Sequence, residues 1–467
     1  MRNIDERQLS IIVFALFFSW LLAFPFEGQV LYAISDRYNI DVHNMVFVAM
    51  TFHFIGLALS GFFLKNIKAA KYFIIGSIIF CILGSAIFFF SPSVLWNISL
   101  IIMSFLTGGS VAAWGYYFKR YTSPNERIKT AADVLIYSNI LMIIINIVTI
   151  NISYYLGLGL SIFMLFSALF FTRRLPVEIE TSRESNTIEL SSAKKPIKPL
   201  GFLCLFIAII TINSGLMYQV INPAFQHHEF IVSLYFAVPY IVAIFIMRNL
   251  PKDTNRSYIL YIAIAMIGFC FIAFMILDRS VLSYFVVNTL MLGACGIYDL
   301  FWWSILGEML NLDFNPPKIL GIGLSANVLG VLIGGIIGNA ISMANISLHN
   351  ISLLAFGVIL VTFMILPILH KQLLELLKDH AYLSASIQIP EEKSKKAIDN
   401  IQINFNLTQR ENEIASLLLK GRTYKMIAEE LFLSENTVKT HIKNIYSKLN
   451  VNSKTEFINL MIEKENS

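Results

Sequence analysis

The sequence predicts an all-α protein in two parts, a twelve-helix (6+6) membrane bundle followed by a cytoplasmic four-helix domain. Of the 467 residues, 56% are hydrophobic and 14% are charged, and the mean hydropathy is +0.68. Ordinary soluble domains have about 45–50% apolar and about 25% charged residues. The charges are also unevenly placed, because residues 371–467 carry 27 of the 65 charged side chains. These observations exclude a single soluble globule, a disordered chain and a collagen-like fibre.

Twelve apolar segments are long enough to cross a bilayer, for which a helix needs about 20 residues. The polar stretch 173–199 separates a first half, 10–172, from a second half, 200–369, so residues 1–370 are expected to form one membrane domain. The predicted spans lie near residues 10–34, 43–64, 71–91, 94–118, 131–151, 153–172, 200–221, 230–247, 257–277, 281–307, 319–343 and 350–369.

The distribution of basic residues predicts the orientation of the bundle. With the N-terminus in the cytoplasm, the cytoplasmic loops hold 19 Lys and Arg residues and the external loops hold two, Arg37 and Arg279. Cytoplasmic loops of membrane proteins carry such an excess. Because twelve is an even number, both termini are expected in the cytoplasm.

Six plus six spans with a long cytoplasmic middle loop resemble the major facilitator superfamily. The resemblance implies two halves related by an axis along the membrane normal and a cavity lined by spans 1, 4, 7 and 10. Members usually carry a Gly-x-Leu-Ala-Asp-Arg-like signature between spans 2 and 3. Residues 61–71, in that loop, contain no acidic residue and no arginine. The fold is therefore expected without the usual transport gate, and a fold alone does not define a function.

Polar and aromatic residues of these four spans form a candidate ligand site. Ionisable residues inside a span are costly and are functional candidates by default. The best candidates are Glu27, which follows Pro25, and Asp299. His53 is expected in the core, whereas Asp133 and Glu308, near span ends, are expected at the membrane interface. Aromatic faces with a few polar groups suit a small organic ligand. Membrane-interface anchoring by the aromatic rings and structural pairing of the carboxylates remain open as alternatives. The resemblance implies that eight of these residues line one pocket. They are Glu27, Trp114, Tyr117, Tyr218, Gln219, Asn222, Asp299 and Trp302.

The four cysteines lie inside apolar segments, and the sequence has no Cys-x-x-Cys motif and no Cys/His cluster. Neither a disulfide framework nor a metal site is indicated, and no cofactor is expected. No P-loop, kinase motif or catalytic constellation occurs either, so the protein is not expected to be an enzyme.

The C-terminal region is expected to contain a helical extension and linker, residues 371–404, and a four-helix domain, residues 405–467. Thr408 and Glu411 form a capping-box pattern at the start of the first helix. Thr423 caps a short second helix. A longer third and a fourth helix follow.

The third helix has two distinct faces. Ser434 caps it, and apolar residues recur at spacings of three and four from Val438 to Leu449. A short helix, a tight turn and a second helix with a basic polar face form a helix-turn-helix pattern. The polar face carries Lys439, Thr440, Lys443 and Asn444.

Residues 407–414, 421–428 and 433–449 closely resemble the LuxR-type DNA-binding domain. The departures are mild, with Tyr424 standing where Asn is common. Lysines at i and i+4 share one helix face and suit phosphate or guanine acceptors. The resemblance implies that Lys439, Thr440 and Lys443 enter the major groove, with Asn444 on the same face. It also implies that Thr423, Lys425 and Thr437 lie near phosphates. Finally, it implies a dimerisation helix that contains Phe457, Leu460 and Met461.

The sequence thus predicts a membrane-bound one-component transcription regulator in the inner membrane of a bacterium. Its expected partners are double-stranded promoter DNA, an unknown small-molecule inducer, the lipid bilayer and a second copy of the chain. The alternative is a major-facilitator-type transporter with a regulatory DNA-binding tail. A third interpretation is a membrane scaffold that tethers DNA without sensing.

Overall fold

A computed structural model of the chain divides into two compact units, Met1–Leu373 and Leu374–Ser467. Within the described residues every regular element is a helix. The structure describes residues 5–26, 28–123, 126–176, 197–250, 256–310, 315–343, 353–369, 371–373, 407–419, 424, 427–428, 431, 433–449, 451, 456–457 and 460.

The first unit contains twelve helices that are long and apolar enough to cross a membrane, so the predicted six-plus-six bundle is confirmed. Each satisfies its own backbone polar groups, as a bilayer requires. We number them α1 to α12, and they are Glu6–Arg37, Asn44–Phe63, Ile67–Phe89, Val94–Tyr121, Arg127–Asn151, Tyr154–Arg174, Lys198–Ala224, Phe230–Arg248, Ile259–Ile276, Val281–Met309, Pro316–Ile341 and Leu353–Leu373.

Two of these spans, α1 and α7, are interrupted by π-helical turns. In α1 the π-helix is Leu22–Phe26 and contains Pro25, which cannot donate a backbone hydrogen bond. In α7 it is Met217–Ile221, directly before Asn222. Such turns are rare in helices and frequently occur at functional sites. The two interrupted spans occupy the same place, the first span, in each half.

The two halves meet where α2 packs on α11 and α5 packs on α8 and α10. Close backbone approach makes the first of these contacts possible. A Cβ atom at Gly61 would collide with the backbone of Lys318, so only glycine fits there. The Asn315 side chain donates to the Gly61 carbonyl at 2.5 Å, which ties the start of α11 to the end of α2.

The second unit contains two described helices, α13 at Gln409–Leu419 and α14 at Glu435–Leu449. Their apolar faces share one buried core with residues of the intervening and following segments. The core residues are Leu407, Ile414, Ala415, Leu417, Leu418, Ile427, Ala428, Val438, Ile442, Ile445, Leu449, Val451 and Phe457.

Candidate functional site

The α14 helix begins at Ser434, as the sequence pattern predicts. The Ser434 hydroxyl accepts a hydrogen bond from the backbone N–H of Thr437 at 3.1 Å and lies 2.7 Å from the Thr437 hydroxyl. A serine at this position satisfies one of the N–H groups that an α-helix leaves unpaired at its start. The cap therefore fixes the position at which the helix and its polar face begin.

The polar face of α14 is exposed along the middle of the helix. Val438, Ile442 and Ile445 turn into the core of the second unit. Because side chains three and four residues apart share a helix face, the intervening positions point outward. Exposed there are Thr437, Lys439, Thr440, Lys443 and Asn444.

A network around Glu411 fixes α14 against α13. The Glu411 carboxylate is 3% exposed and accepts from Thr408 N at 2.8 Å and from Lys448 Nζ at 2.7 Å. Glu411 N in turn donates to the Thr408 hydroxyl at 3.2 Å, which completes the predicted capping box. Burial acts to raise the pKa of Glu411, but the bonds from Lys448 and Thr408 outweigh it and lower that pKa. An ionised carboxylate thus joins the two helices.

A concave surface runs beside the lysines of α14. Tyr424 and Tyr446 lie on it, and burial, followed by the neighbouring Tyr424, raises the pKa of Tyr446. The Tyr446 ring lies 6.1 Å from that of Phe457. From the sequence, Tyr424 was identified only as a departure from the family pattern and not as part of a surface. The residues that line the surface are Tyr424, Lys439, Ile442, Lys443, Tyr446, Ser447 and Val451.

The predicted dimerisation residues occupy different environments. Phe457 is 0% exposed and lies in the core of its own unit, whereas Leu460 packs partly buried against that core. The Phe457 side chain therefore offers no surface of its own to a second copy. Met461, Thr423 and Lys425 lie outside the described residues.

In the membrane unit, three predicted ligand residues lie at the π-helical turn of α7. Tyr218 and Gln219 belong to the turn, and Asn222 follows it. All three are half-buried. Glu27, next to the corresponding turn of α1, lies outside the described residues.

Asp299 of α10 is joined to α8. The Tyr240 hydroxyl donates to Asp299 Oδ2 at 2.9 Å, and Tyr240 is buried while Asp299 is half-buried. Structural pairing, one of the two alternatives that the sequence leaves open, therefore has a specific partner in Tyr240.

A cluster of aromatic rings joins α1, α4 and α10. Trp114 donates its indole N–H to the Ser10 hydroxyl at 2.9 Å. Its ring lies 4.5 Å from Phe14, 4.6 Å from Phe118 and 6.2 Å from Trp303. The α10 ring that meets Trp114 is thus Trp303, which was not among the predicted ligand residues.

The neighbouring residue Trp302 belongs to a different contact. It stacks on Tyr298 with 5.9 Å between ring centres, and the Tyr298 hydroxyl lies 2.9 Å from the Ser214 hydroxyl of α7. Trp302 and Tyr117 are both buried. Their indole N–H and hydroxyl have no hydrogen-bond partner among the residues that the structure describes.

Charged residues join the two halves, among them Asp133, which the sequence analysis assigned to the membrane interface. Asp133 of α5 accepts from Arg248 of α8 at 2.6 Å and lies 3.8 Å from Arg7 of α1. The buried Arg127 donates to the Gly307 carbonyl of α10 at 2.5 Å. All these contacts lie at the end of the bundle that carries Arg7, which we call the N-terminal face. The partners in these contacts are far apart in the sequence, so no local sequence pattern predicted that they would meet.

No group of three metal-ligating side chains occurs among the described residues. Asp133 is instead paired with Arg248, and Asp299 accepts a hydrogen bond from Tyr240.

The C-terminal unit matches known transcription regulators. Residues 406–461 match the family described as bacterial regulatory proteins, luxR family. The transcriptional regulatory protein LiaR of Bacillus subtilis is 55% identical over 58 residues, which are 12% of this chain and 28% of LiaR. DegU of Brevibacillus brevis is 46% identical over 52 residues, 11% of this chain and 22% of DegU. The chain thus spans about a quarter of the length of these two relatives.

The membrane unit matches a transporter structure. The human organic anion transporter MFSD10 superposes with a TM-score of 0.60 over 77% of this chain and 99% of that chain, at 12% identity. At such low identity the likeness shows the fold alone, and it confirms the major-facilitator-like architecture predicted from the sequence.

The spore germination protein GerE of Bacillus subtilis is 46% identical over 52 residues, which are 11% of this chain but 70% of GerE. GerE is thus matched over most of its own length. Through its C-terminal domain, this chain belongs to the luxR family of bacterial regulatory proteins.

Proposed function

We propose that the protein is a membrane-bound one-component transcription regulator. Its membrane bundle senses a small molecule, and its C-terminal helix-turn-helix domain binds promoter DNA. One observation carries the proposal: a single chain joins a luxR-family domain with an exposed polar helix face to a transporter-like bundle. The relatives LiaR and DegU are both named transcriptional regulatory proteins.

The exposed face of α14 is the proposed DNA-reading surface. Lys439, Thr440 and Lys443 would enter the major groove, where lysine pairs with guanine acceptors or phosphates. Asn444 continues this face, and Thr437 lies at the helix N-terminus, which favours a phosphate. Residues 405–467 carry nine basic and eight acidic side chains, so affinity depends on charge placement and on two copies binding together. Thr423 and Lys425 complete the proposed phosphate contacts.

The proposed ligand site lies between the interrupted spans α1 and α7, with α4 and α10 beside them. Membrane transporters commonly build binding sites from discontinuous helices. The π-helical turns bring Tyr218 and Gln219 into irregular backbone, where extra hydrogen-bonding capacity is available. Asp299 and the buried rings of Trp114, Tyr117 and Trp302 would complete the wall, together with Glu27 and Asn222.

Ligand binding would shift the two halves against each other. The Asp133–Arg248 pair and the Arg127 bond to Gly307 hold the halves together at one face. A ligand that prefers the arrangement without these contacts would break them, whereas one that binds both arrangements equally would change nothing. The last span, α12, precedes the C-terminal domain in the sequence and would transmit the shift to dimerisation and DNA binding.

The proposed location is the inner membrane of a bacterium, with both termini in the cytoplasm. Twelve membrane-capable helices and the concentration of Lys and Arg in alternate loops support it. Only this orientation places the C-terminal domain in the compartment that contains DNA.

A transporter with a regulatory tail is the second candidate, because the bundle covers 99% of a transporter's chain with the same fold. It predicts substrate uptake by vesicles that contain a chain truncated before residue 374. The absence of the signature residues from positions 61–71 favours sensing instead.

The decisive experiment recovers DNA from the membrane. Tagged full-length protein is cross-linked in its host, with and without candidate inducers, and the bound DNA is sequenced. We expect a few sharp sites that disappear in the Lys439→Ala, Lys443→Ala double variant. Equal recovery from the variant, or no enrichment under any condition, would refute regulation and make vesicle uptake the next assay.

A further inference from the structure

The Asn213 side chain in α7 is buried, and it has no hydrogen-bond partner among the described residues. It is 0% exposed, and neither its amide nitrogen nor its amide oxygen bonds to any residue that the structure describes. Buried polar groups are almost always paired, because each unpaired donor or acceptor lowers stability. A buried carboxamide with both an unmet donor and an unmet acceptor is thus a candidate contact for a bound molecule.

The neighbours of Asn213 show where its side chain points. Thr211 and Gly215 contact the α11 backbone, so that face of α7 packs on α11. A helix turns by about 100° per residue, which places Asn213 on the opposite face, toward the interior of the bundle. The side chain therefore faces neither α11 nor the bilayer.

The adjacent residue connects this position to α10. The Ser214 hydroxyl lies 2.9 Å from the Tyr298 hydroxyl, and Tyr298 stacks on Trp302. The Trp302 indole N–H is also buried with no partner among the described residues. Two spans that touch each other thus both carry unmet hydrogen-bonding groups, and both belong to the proposed ligand site.

We propose that Asn213 is the primary polar contact of the sensor site and that its ligand is an uncharged molecule carrying both a hydrogen-bond donor and an acceptor, as an amide does. A carboxamide offers one group of each kind. The unmet groups are neutral, so they offer hydrogen bonds but no counter-charge. The acidic residues of the proposed site, Asp299 and Glu27, would disfavour an anion, and Asp299 already accepts a hydrogen bond from Tyr240. This inference rests on the proposed sensing function and names the chemical class it detects.

A stability measurement without any ligand tests the assignment of Asn213. Because a ligand-directed amide is unsatisfied in the empty site, Asn213→Leu should raise the Tm of purified full-length protein by about 2 °C or more. The matched control is Asn146→Leu, because Asn146 is also buried but accepts a bond from Gln29 N at 3.1 Å. Asn146→Leu should lower the Tm. A fall in the Tm of Asn213→Leu would overturn the assignment.

The chemical class is tested on the unaltered protein with four matched probes. Benzamide, benzoate, benzylamine and toluene share one ring and differ in charge and hydrogen bonding. We expect benzamide alone to raise the Tm of the full chain, and Asn213→Leu to remove that shift. A larger shift with benzoate or benzylamine, an equal shift in the variant, or no shift with any probe would overturn the proposal.

These outcomes are separate from failure of the regulator proposal. Neither measurement involves DNA, so a benzamide shift without any DNA recovered from cells would leave the binding site intact and refute only regulation. Sharp DNA sites without a probe shift would refute only the ligand class.

Discussion

The Asp133 carboxylate lies 2.6 Å from Arg248 Nε and 3.3 Å from Arg248 Nη2, so one ion pair with two hydrogen bonds joins the halves of the bundle. A two-point arginine–carboxylate contact is more directional than a single bond. Arg7 lies 3.8 Å from the same carboxylate. The N-terminal residues and both halves thus share one negative charge.

Removing that charge should loosen the N-terminal face. Asp133→Asn is expected to weaken the contact between the halves by about 1–3 kcal/mol, because its hydrogen bonds no longer involve a charged acceptor. Disulfide trapping between cysteines placed on α5 and α8 measures the separation. Trapping should be slower in the variant, and reporter output should change without an inducer.

The charge-swapped pair, Asp133→Arg with Arg248→Asp, provides the control for this prediction. It restores opposite charges across the contact and should recover trapping at least in part. Unchanged trapping in Asp133→Asn would show that the pair does not hold the halves together.

Lysines on α14 should separate into two functional classes. Lys439→Ala and Lys443→Ala should weaken duplex binding by full-length protein in nanodiscs and reduce the slope of log affinity against log salt, by about 0.9 for each phosphate that the variant no longer neutralises. Lys448→Met, which breaks the bond to Glu411, should instead lower protection of α13 and α14 from hydrogen exchange. An unchanged salt slope in both alanine variants would contradict the DNA-reading assignment.

Acid should loosen the C-terminal domain through Glu411. Its pKa is lowered in the folded state, so its contribution to stability is complete above the ordinary value of about 4.3 and is lost as the pH falls through the lowered folded value. The protection factors of α13 and α14, which correct the exchange rates for the intrinsic effect of pH, should therefore fall below about pH 4.3. In Glu411→Gln these protection factors should be lower at neutral pH and should change less on acidification.

Phe457 and Leu460 should respond differently to truncation. Phe457→Ala removes a fully buried ring and should destabilise the domain by about 3–5 kcal/mol, as other core phenylalanine truncations do. Leu460→Ala should cost less stability and should chiefly reduce cross-linking between copies. If both variants lose the same amount of folding stability, Leu460 contributes to the core and not to contacts between copies.

The helices followed from local patterns in the sequence. Length and hydropathy predicted the twelve spans, because a bilayer imposes the same requirement on each of them. Spacing and capping residues predicted the start of α14 at Ser434 and the Thr408–Glu411 box. The hydrogen bonds of both caps join residues within one helical turn.

Contacts between distant residues were not predictable in this way. Asp133 and Arg248 are 115 positions apart, and Lys448 lies 37 positions from Glu411. Asn213 was overlooked because an isolated asparagine in an apolar helix gives no pattern. Its significance depends on whether a partner lies opposite, which only the packed structure determines.

The π-helical turns of α1 and α7 have a consequence for the evolution of this bundle. A π-helical turn accommodates one residue more than an α-helical turn. Deleting a single residue from Met217–Ile221 would therefore rebuild a regular helix, because the wide turn holds the extra residue without changing which faces the residues beyond it occupy. Insertions and deletions, normally excluded from membrane spans, would be informative at these two turns. Relatives that lack the extra residue would keep the same helix faces toward the interior but would lose the irregular backbone at the turn.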